Sequence, residues 1–211
     1  DFYDAQFNRL YLEPLYNQKY PKLLFESLLQ KNLIKQSDLT FIKDGDLETV
    51  ATETDFLGVN YYSRGVIRSN EVDEDVNDKP NVDLGPKTDF GWEVYPQGLY
   101  DLLKRLHVDY NVQDIIITEN GCSYSDGPDE NKTVNDTKRI EYHKSHVEQI
   151  QIAVNDGIPC TGYFAWSFMD NFEWAEGYSQ RFGLIWVDFE TLERIPKESY
   201  YWYQNFIKSQ K

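Results

Sequence analysis

Ile115-Ile-Ile-Thr-Glu-Asn-Gly121 is the stretch of this sequence that decides the fold. Three β-branched apolar residues in succession predict a strand that is buried on both faces, as in a parallel sheet. The strand ends at Thr118 and Glu119, so a carboxylate lies at its carboxyl end. In sheets built from β-α units, catalytic groups collect at this edge. Glu119 is therefore a candidate catalytic residue, and the alternative is a glutamate that merely meets solvent where the strand leaves the core.

Two more stretches have the same design, an apolar strand that ends in polar and aromatic residues. They are Asp55-Phe-Leu-Gly-Val-Asn-Tyr-Tyr62 and Pro159-Cys-Thr-Gly-Tyr-Phe-Ala-Trp-Ser167. Helices are predicted after each strand, and the last runs from about Pro196 to Lys208. Alternating strands and helices predict an α/β fold with a parallel sheet. Phe182–Asp188 is predicted to form a short strand in a hairpin.

Periodicity also predicts which faces of the two central helices are buried. One helix begins at Pro96 and has Leu99, Leu102, Leu103 and Leu106 on one side. The next helix is closed by Gly157 and has on one stripe Ile140, His143, Val147, Ile150 and Val154. His143 is expected to be a packing residue at the boundary of the core.

The N-terminal part is predicted to be helical. A first helix covers roughly residues 1–20, and Pro14 should end or kink it. A second helix should run from Pro21 to about Gln30. Residues 63–95 are predicted to form a long surface excursion that contains an acidic run and has room for a hairpin.

The composition limits the function classes. Lys and Arg number 21 against 36 Asp and Glu, which gives a net charge of −15 and argues against nucleic acid or an anionic membrane as partner. Aromatic residues make up 16%, and together with carboxylates they suit carbohydrate binding, although most aromatics fill cores. Without an apolar span or a signal peptide in view, we expect a cytoplasmic protein.

Cysteines and histidines give no metal pattern. Cys122 and Cys160 are expected to be free thiols, because two cysteines are too few for a disulfide scaffold. His143 and His146 lie one helical turn apart, but no carboxylate or cysteine completes a ligand set. We therefore expect neither a metal nor a cofactor.

The number of strands poses a problem for a chain of 211 residues taken as a single domain. Three parallel strands cannot close a barrel, and they leave two unpaired sheet edges. One solution is that the chain is part of something larger. The other is that two copies form a homo-oligomer that covers the edges.

Several long motifs resemble those of glycoside hydrolase family 1, the β-glucosidase family. They are Ile117-Thr-Glu-Asn-Gly121, Trp166-Ser-Phe-Met-Asp-Asn-Phe-Glu-Trp174, Asn60-Tyr-Tyr62 and Tyr178-Ser-Gln-Arg-Phe-Gly-Leu184. The resemblance runs nearly end to end. It implies that residues 1–211 are the C-terminal portion, strands 6–8, of a (β/α)₈ TIM barrel, which is incomplete if this chain is alone.

The resemblance also implies roles for single residues. Glu119 takes the place of the nucleophile of a retaining glycosidase, and Tyr62 takes that of the tyrosine that hydrogen-bonds it. Asn60 matches a neighbouring residue of the active site. The residues that match the sugar pocket are Trp166, Glu173, Trp174 and Phe182. For the tryptophans, the alternative is packing in a core.

The Glu173-Trp174 pair favours a substrate without phosphate. Related phospho-β-glycosidases lack this pair and hold the phosphate with a Ser, Lys and Tyr set, whereas a glutamate would repel it. The departure from the family is that the Asn-Glu-Pro motif of the general acid/base is absent, since Glu13-Pro14 follows Leu12 in a helical region.

The leading hypothesis is therefore the nucleophile-bearing part of a retaining β-glucosidase or β-galactosidase. Its expected partners are a β-glycoside substrate and an N-terminal half-barrel of the same enzyme. The alternative hypothesis is a non-catalytic remnant that binds sugar or takes part in assembly.

Overall fold

A computed structural model describes residues 2–67 and 84–210 of the chain. The acidic run predicted within the excursion, at 71–75, lies outside the described residues. The chain divides into two compact units, which are described separately below. Unit 1 comprises Asp1–Leu57 with Arg105–Asp114, and unit 2 comprises Gly58–Lys104 with Ile115–Lys211.

The described elements alternate as the sequence predicts. The helices are α1 (Phe2–Asp4), a π-helical turn (Ala5–Arg9), α2 (Leu10–Asn17), α3 (Lys22–Gln30), a 3₁₀ turn (Gln36–Leu39), α4 (Asp46–Val50), α5 (Gln97–Tyr110), α6 (Thr137–Asn155), a 3₁₀ turn (Trp174–Glu176) and α7 (Glu198–Ser209). The strands are β1 (Leu57–Asn60), β2 (Ile115–Asn120), β3 (Cys160–Ala165), β4 (Ile185–Val187) and β5 (Arg194–Pro196).

The three predicted apolar strands form one sheet in the order β1-β2-β3. β2 and β3 run parallel, with Ile115 opposite Cys160 and Asn120 opposite Ala165. On the other side, the Tyr61 amide donates to the Glu119 carbonyl oxygen at 2.9 Å. This confirms the α/β fold with a parallel sheet. Among residues 2–67 and 84–210 the strands do not close into a barrel.

The predicted hairpin near the C-terminus is also confirmed. β4 pairs with β5 in antiparallel register, with Ile185 opposite Pro196 and Val187 opposite Arg194. A single bridge between Met169 and Ile185 links this hairpin to the segment that follows β3. The hairpin therefore lies beside the chain that leaves the carboxyl edge of the sheet.

Unit 1 contains the predicted N-terminal helices. Pro14 does not end the first of them, since α2 continues past it to Asn17. Pro14 is buried, and burial in a packed unit can offset the hydrogen bond that proline removes from a helix. An ion pair between Asp4 and Arg105, 2.6 Å apart, holds the start of the chain within this unit.

In α5 the predicted apolar face is confirmed. Leu99, Leu103 and Leu106 are fully buried, and Leu102 is half-buried. The predicted closing residue of the next helix, Gly157, has a φ of +84°, a left-handed conformation that glycine adopts without strain.

In α6 the predicted stripe is confirmed in part. His143 is fully buried and Ile140, Val147 and Ile150 are half-buried, whereas Val154 is 41% exposed. The face that is buried consists of Arg139, Tyr142, His143, His146 and Ala153. Polar side chains can occupy this face because they are paired: Arg139 Nε donates to Asp136 at 2.9 Å, and its other nitrogens donate to the carbonyls of Cys122 and Tyr124.

Both cysteines are buried thiols that form no disulfide, as predicted. Burial raises the pKa of the Cys122 thiol to about 12. In the described part of the chain, no helix is long and apolar enough to cross a membrane.

The close approach of Gly121 to the segment after β3 leads to a prediction about stability. A Cβ atom at position 121 would lie 1.8 Å from the Trp166 carbonyl oxygen, so the backbone would have to move. We expect Gly121→Ala to lower the free energy of unfolding by about 1–3 kcal/mol, as overpacking does. Urea unfolding measures the change.

The matched control is Gly127→Ala, because a Cβ there meets nothing within 4 Å. Equal stability losses in the two variants would contradict the close approach.

Candidate active site

Glu119 and Tyr62 lie together at the carboxyl edge of the sheet. Glu119 is the penultimate residue of strand β2, and Tyr62 lies two residues after the end of β1. The Tyr62 hydroxyl donates a hydrogen bond to Glu119 Oε2 at 2.6 Å. A bond of this length to a carboxylate is of the strong, charge-assisted kind. The two residues predicted to be catalytic are thus in direct contact.

The surroundings of Tyr62 keep its phenol protonated. Burial is the largest cause that raises its pKa above the ordinary value, and the hydrogen bond and negative charge of Glu119 add to it. The charge of Glu173 raises the same pKa further. Tyr62 therefore remains a hydrogen-bond donor to Glu119 over the neutral and moderately alkaline range.

An aromatic cluster packs against the Tyr62 ring. Its ring centroid lies 5.2 Å from that of Trp92 and 6.2 Å from that of Phe182. Phe90 and Trp92 belong to a small hairpin closed by a bridge between Lys87 and Glu93, which confirms the predicted hairpin within the excursion. Phe182 is only 2% exposed and packs against Tyr62, and its predicted contact with sugar stays a prediction.

Asn60 lies at the end of β1, one strand away from Glu119. Its Oδ1 accepts a hydrogen bond from the Thr118 hydroxyl at 2.7 Å. The Asn60 side chain is exposed, so its amide nitrogen remains at the surface beside the Tyr62–Glu119 pair.

Trp166 begins the segment that leaves β3. Its amide donates to the Asn120 carbonyl oxygen at 2.8 Å, which fixes Trp166 next to the residue that follows Glu119. Further along, Asp170 is fully buried and its carboxylate accepts bonds from Arg181 at 2.7 Å and from Lys197 at 3.1 Å. The Gly183 amide donates to the same carboxylate at 2.9 Å.

Glu173 and Trp174 lie at the end of this segment. The Glu173 amide donates to the Gly177 carbonyl at 2.7 Å, which closes a tight turn. Trp174 has a φ of +43° and is 83% exposed. The described residues thus leave its ring open to solvent, and the predicted pocket wall at Trp174 stays a prediction.

Sequence reasoning missed three residues that hold this edge together. Asn120 and Tyr142 form hydrogen bonds between strand ends, and Asp170 anchors the segment from Trp166 to Trp174. Asn120 and Asp170 stand inside the quoted motifs, yet their partners lie 11 to 59 residues away in the sequence. Tyr142 was missed because it lies beside the predicted apolar stripe of α6 and not on it.

Metal ligands are not brought together in the part of the chain that the structure describes, where no group of three His, Cys, Asp or Glu side chains could hold an ion. His146 is bonded through Nδ1 to the Tyr142 carbonyl oxygen at 2.7 Å. His143 is bonded through Nδ1 to the Tyr163 hydroxyl at 2.8 Å. Both histidines are thus integrated into the packing of α6.

Comparison with known proteins identifies the family to which this chain belongs. The model of glycosyl hydrolase family 1 matches residues 3–211. This match covers nearly the whole chain, and the chain belongs to that family.

Individual relatives agree. A 1,4-β-D-glucan glucohydrolase of Thermotoga neapolitana is 42% identical over 97% of this chain and 45% of its own length. A 6-phospho-β-galactosidase of Staphylococcus haemolyticus is 39% identical over 98% of this chain and 49% of its own length. The crystal structure of a β-glucosidase from Exiguobacterium marinum superposes with a TM-score of 0.84 at 36% identity, over 99% of this chain and 46% of that one.

The chain therefore spans about half the length of the curated relatives that it matches.

Proposed function

We propose that this chain supplies the nucleophile and part of the glycone pocket of a retaining β-glycosidase. The observation that carries the proposal is the 2.6 Å hydrogen bond from the Tyr62 hydroxyl to Glu119 Oε2 at the carboxyl edge of a parallel sheet. A retaining enzyme needs a carboxylate that stays ionised and is held rigidly under the anomeric carbon. The strand end and the Tyr62 bond support this role, because they hold the Glu119 carboxylate in place at the edge of the sheet.

In the reaction, Glu119 attacks the anomeric carbon and the bond to the leaving oxygen breaks. Because Tyr62 is directed at Oε2, we assign the attack to Oε1. A covalent glycosyl-enzyme forms, and water then releases the sugar with retained configuration. As charge leaves the carboxylate during attack, the Tyr62 hydrogen bond weakens, and it strengthens again when water restores the carboxylate.

The general acid/base is expected from a second polypeptide segment. Half of the relatives' length lies outside this chain, and we propose that the missing half is an N-terminal half-barrel. The present sheet would then be strands 6–8 of a (β/α)₈ barrel, and residues 1–211 would be one part of its single domain. Without that acid, departure of an ordinary leaving group loses about 10²–10⁴-fold in rate.

The proposed substrates are unphosphorylated β-D-glucosides or β-D-galactosides. The charge of Glu173 raises the pKa of Tyr62, which supports a place for its carboxylate in the same site, where it would bind sugar hydroxyls. A carboxylate there and a chain charge of −15 both disfavour a sugar phosphate. Trp166 and Trp174 would supply apolar ring faces for the sugar.

The decisive experiment is covalent labelling of Glu119. We would combine the chain with the N-terminal half-barrel of a family relative to give what we term the assembled enzyme. The probe is 2,4-dinitrophenyl 2-deoxy-2-fluoro-β-D-glucoside, whose phenolate leaves without protonation, so the step reports on the nucleophile and not on the acid. Mass spectrometry of the digested chain should find one fluoroglucosyl group on Glu119.

Label on a different carboxylate would overturn the assignment of the nucleophile. Assembly that can be demonstrated, with sugar binding but no label, would instead indicate a non-catalytic remnant.

Tyr62→Phe tests the role of the phenol. We expect the rate of glycosyl-enzyme formation in the assembled enzyme to fall about 10- to 100-fold, because Glu119 loses the contact that holds it in place and misplacement of a reacting group by about 1 Å can cost on the order of 10²-fold in rate. The KM should change little, because the lost bond is to Glu119 and not to sugar. Stopped-flow release of dinitrophenolate measures the rate.

Tyr61→Phe is the matched control, because the Tyr61 hydroxyl donates to the Tyr95 carbonyl oxygen at 2.6 Å and not to a catalytic group. It should affect stability only. Rates that fall equally in both variants would count against a specific role for Tyr62.

Glu173→Gln tests the choice of glycone. We expect kcat/KM for an aryl β-glucoside to fall about 10- to 100-fold through loss of charge-assisted bonds to hydroxyls. Hydrolysis of the corresponding aryl 6-phospho-β-glucoside, assayed in parallel, should not fall. A wild-type preference for the phosphorylated glycoside would contradict the proposed substrate class. Glu176→Gln, in the adjacent exposed turn, is the control.

A further inference from the structure

Asn120 lies at the centre of a buried hydrogen-bond network behind the Tyr62–Glu119 pair. It is the last residue of β2 and is 0% exposed. Its Nδ2 donates to the Tyr61 carbonyl oxygen at 2.8 Å and to the Tyr142 hydroxyl at 3.2 Å. Its Oδ1 accepts from the Tyr163 hydroxyl at 2.8 Å. One amide thus contacts the chain that follows β1, strand β3 and helix α6.

The network reaches Tyr62 through Tyr142. The Tyr142 hydroxyl accepts from Asn120 and donates its own proton to the Tyr62 carbonyl oxygen at 3.0 Å. The backbone of Tyr62 is therefore held on one side by α6, while its hydroxyl is held by Glu119 on the other. A shift of Tyr142 would therefore move the Tyr62 hydroxyl, which donates to Glu119.

The proton inventory of the network permits a single arrangement. Asn120 uses both amide hydrogens as donors and its oxygen as acceptor. The Tyr163 proton is given to Asn120, so the bond between Tyr163 and His143, 2.8 Å long, requires that His143 Nδ1 is the donor. Among side chains of this size, only asparagine combines two N–H donors on one atom with an acceptor oxygen on another.

We propose that Asn120 is a positioning residue that sets the geometry of the Tyr62–Glu119 pair by joining the ends of the three parallel strands to α6. The inference rests on the proposed function, because its readout is the reactivity of Glu119. Asn120 reaches neither the carboxylate nor the sugar, and it acts through Tyr61, Tyr142 and Tyr163.

The contribution follows from the cost of misplacement. A displacement of about 1 Å at a reacting group can cost on the order of 10²-fold in rate. All the hydrogen-bonding groups of the Asn120 amide are paired, and its removal would leave the Tyr61 carbonyl oxygen and the Tyr163 hydroxyl without this partner, which loosens the packing around Tyr62. Asn120 therefore affects the rate constant of the covalent step and leaves the affinity for sugar nearly unchanged.

The test is the inactivation kinetics of the assembled enzyme with the dinitrophenyl fluoroglucoside. Asn120→Ala should lower the inactivation rate constant about 10- to 100-fold, with a change of less than about 3-fold in the half-saturating probe concentration. Tyr142→Phe keeps the ring and removes the hydroxyl that donates to Tyr62 and accepts from Asn120, and it should lower the rate constant about 3- to 10-fold. Thermal unfolding by circular dichroism establishes which variants are folded.

If Asn120→Ala does not fold, Tyr142→Phe decides alone. Its matched control is Tyr203→Phe, because the Tyr203 hydroxyl also donates to a backbone carbonyl, that of Tyr163 at 3.3 Å, and not to that of Tyr62. A rate constant for Tyr142→Phe equal to that of the control would overturn the proposal.

Asn120→Asp adds a signature that a purely structural residue would not give. The substitution keeps the size but places an acceptor against the Tyr61 carbonyl oxygen. Only the protonated acid can donate there, so the ratio of the variant rate to the wild-type rate should rise as the pH falls. The titratable groups around position 120 are the same in both proteins: Tyr61, Tyr62, Glu119, Tyr142, His143 and Tyr163.

The two levels of inference fail separately. Absence of label on Glu119 in the wild type would defeat the proposed function, and the positioning role would fall with it. Normal labelling of the wild type, with unchanged rate constants in Asn120→Ala and Tyr142→Phe and a flat pH ratio in Asn120→Asp, would defeat the positioning role alone.

Discussion

Glu119→Gln is expected to lower turnover of an aryl β-glucoside by the assembled enzyme by about 10⁴-fold or more, the scale of loss when a covalent nucleophile is removed. The amide keeps the shape of the side chain and can still accept the hydrogen bond from Tyr62. It lacks the negative charge and cannot form the glycosyl-enzyme. Binding of glucose-like inhibitors should therefore persist while the rate falls, and isothermal titration together with steady-state kinetics separates the two effects.

Glu141→Gln is the matched control, because Glu141 is an exposed carboxylate on α6. A second variant gives the stereochemical evidence. In Glu119→Ala, azide can enter the vacated space and attack the anomeric carbon from the same face, so the product should be the α-glycosyl azide. A β-glycosyl azide, or turnover within about 10-fold of the wild type, would show that a different residue is the nucleophile.

Asp170→Asn is expected to lower the free energy of unfolding by about 3–5 kcal/mol, because it leaves a buried cation without its partner. Lys197 is 0% exposed and lies 3.1 Å from Asp170. Burial lowers the pKa of Lys197 to about 8, and repulsion by Arg139 acts in the same direction against the attraction of Asp170. The Gly183 amide and Arg181 also lose their charged acceptor. Urea unfolding of the purified chain measures the loss.

The double variant Asp170→Asn, Lys197→Met is the control for this interpretation. Removing the stranded ammonium should restore part of the stability, as replacement of buried ion pairs by apolar groups often does. If the double variant were less stable than Asp170→Asn by the full cost of a second independent substitution, the two residues would not be coupled. The single variant should also weaken substrate binding, because Asp170 lies three residues before Glu173.

The strands could be predicted because their signals are local. Ile115 to Ile117 are β-branched and apolar, and they place Glu119 at a strand end, whereas the roles proposed for Glu119 and Tyr62 come from the resemblance to family 1. The hairpin at Ile185–Val187 and the end of α6 near Gly157 were found for the same reason.

The buried polar groups could not be predicted, because their partners are distant in the sequence. Periodicity assigns Val154 to the core and overlooks Arg139, since it counts apolar character alone. Arg139 is buried because the carbonyls of Cys122 and Tyr124 accept its protons, 17 and 15 residues away. Asn120 is bonded to Tyr163 over 43 residues, and no local pattern announces such a pair.

The buried thiols make the chain convenient for spectroscopic labelling. Cys122 is 0% exposed and its pKa is raised to about 12 by burial, and Cys160 is 9% exposed. Maleimide dyes react with accessible thiolates, so neither native cysteine should take up dye while the chain is folded. A single cysteine introduced at position 127, where a new side chain meets open space, would carry a fluorophore on a native background. Energy transfer to a dye on the proposed N-terminal half would then report the affinity and lifetime of the proposed barrel without any enzymatic assay.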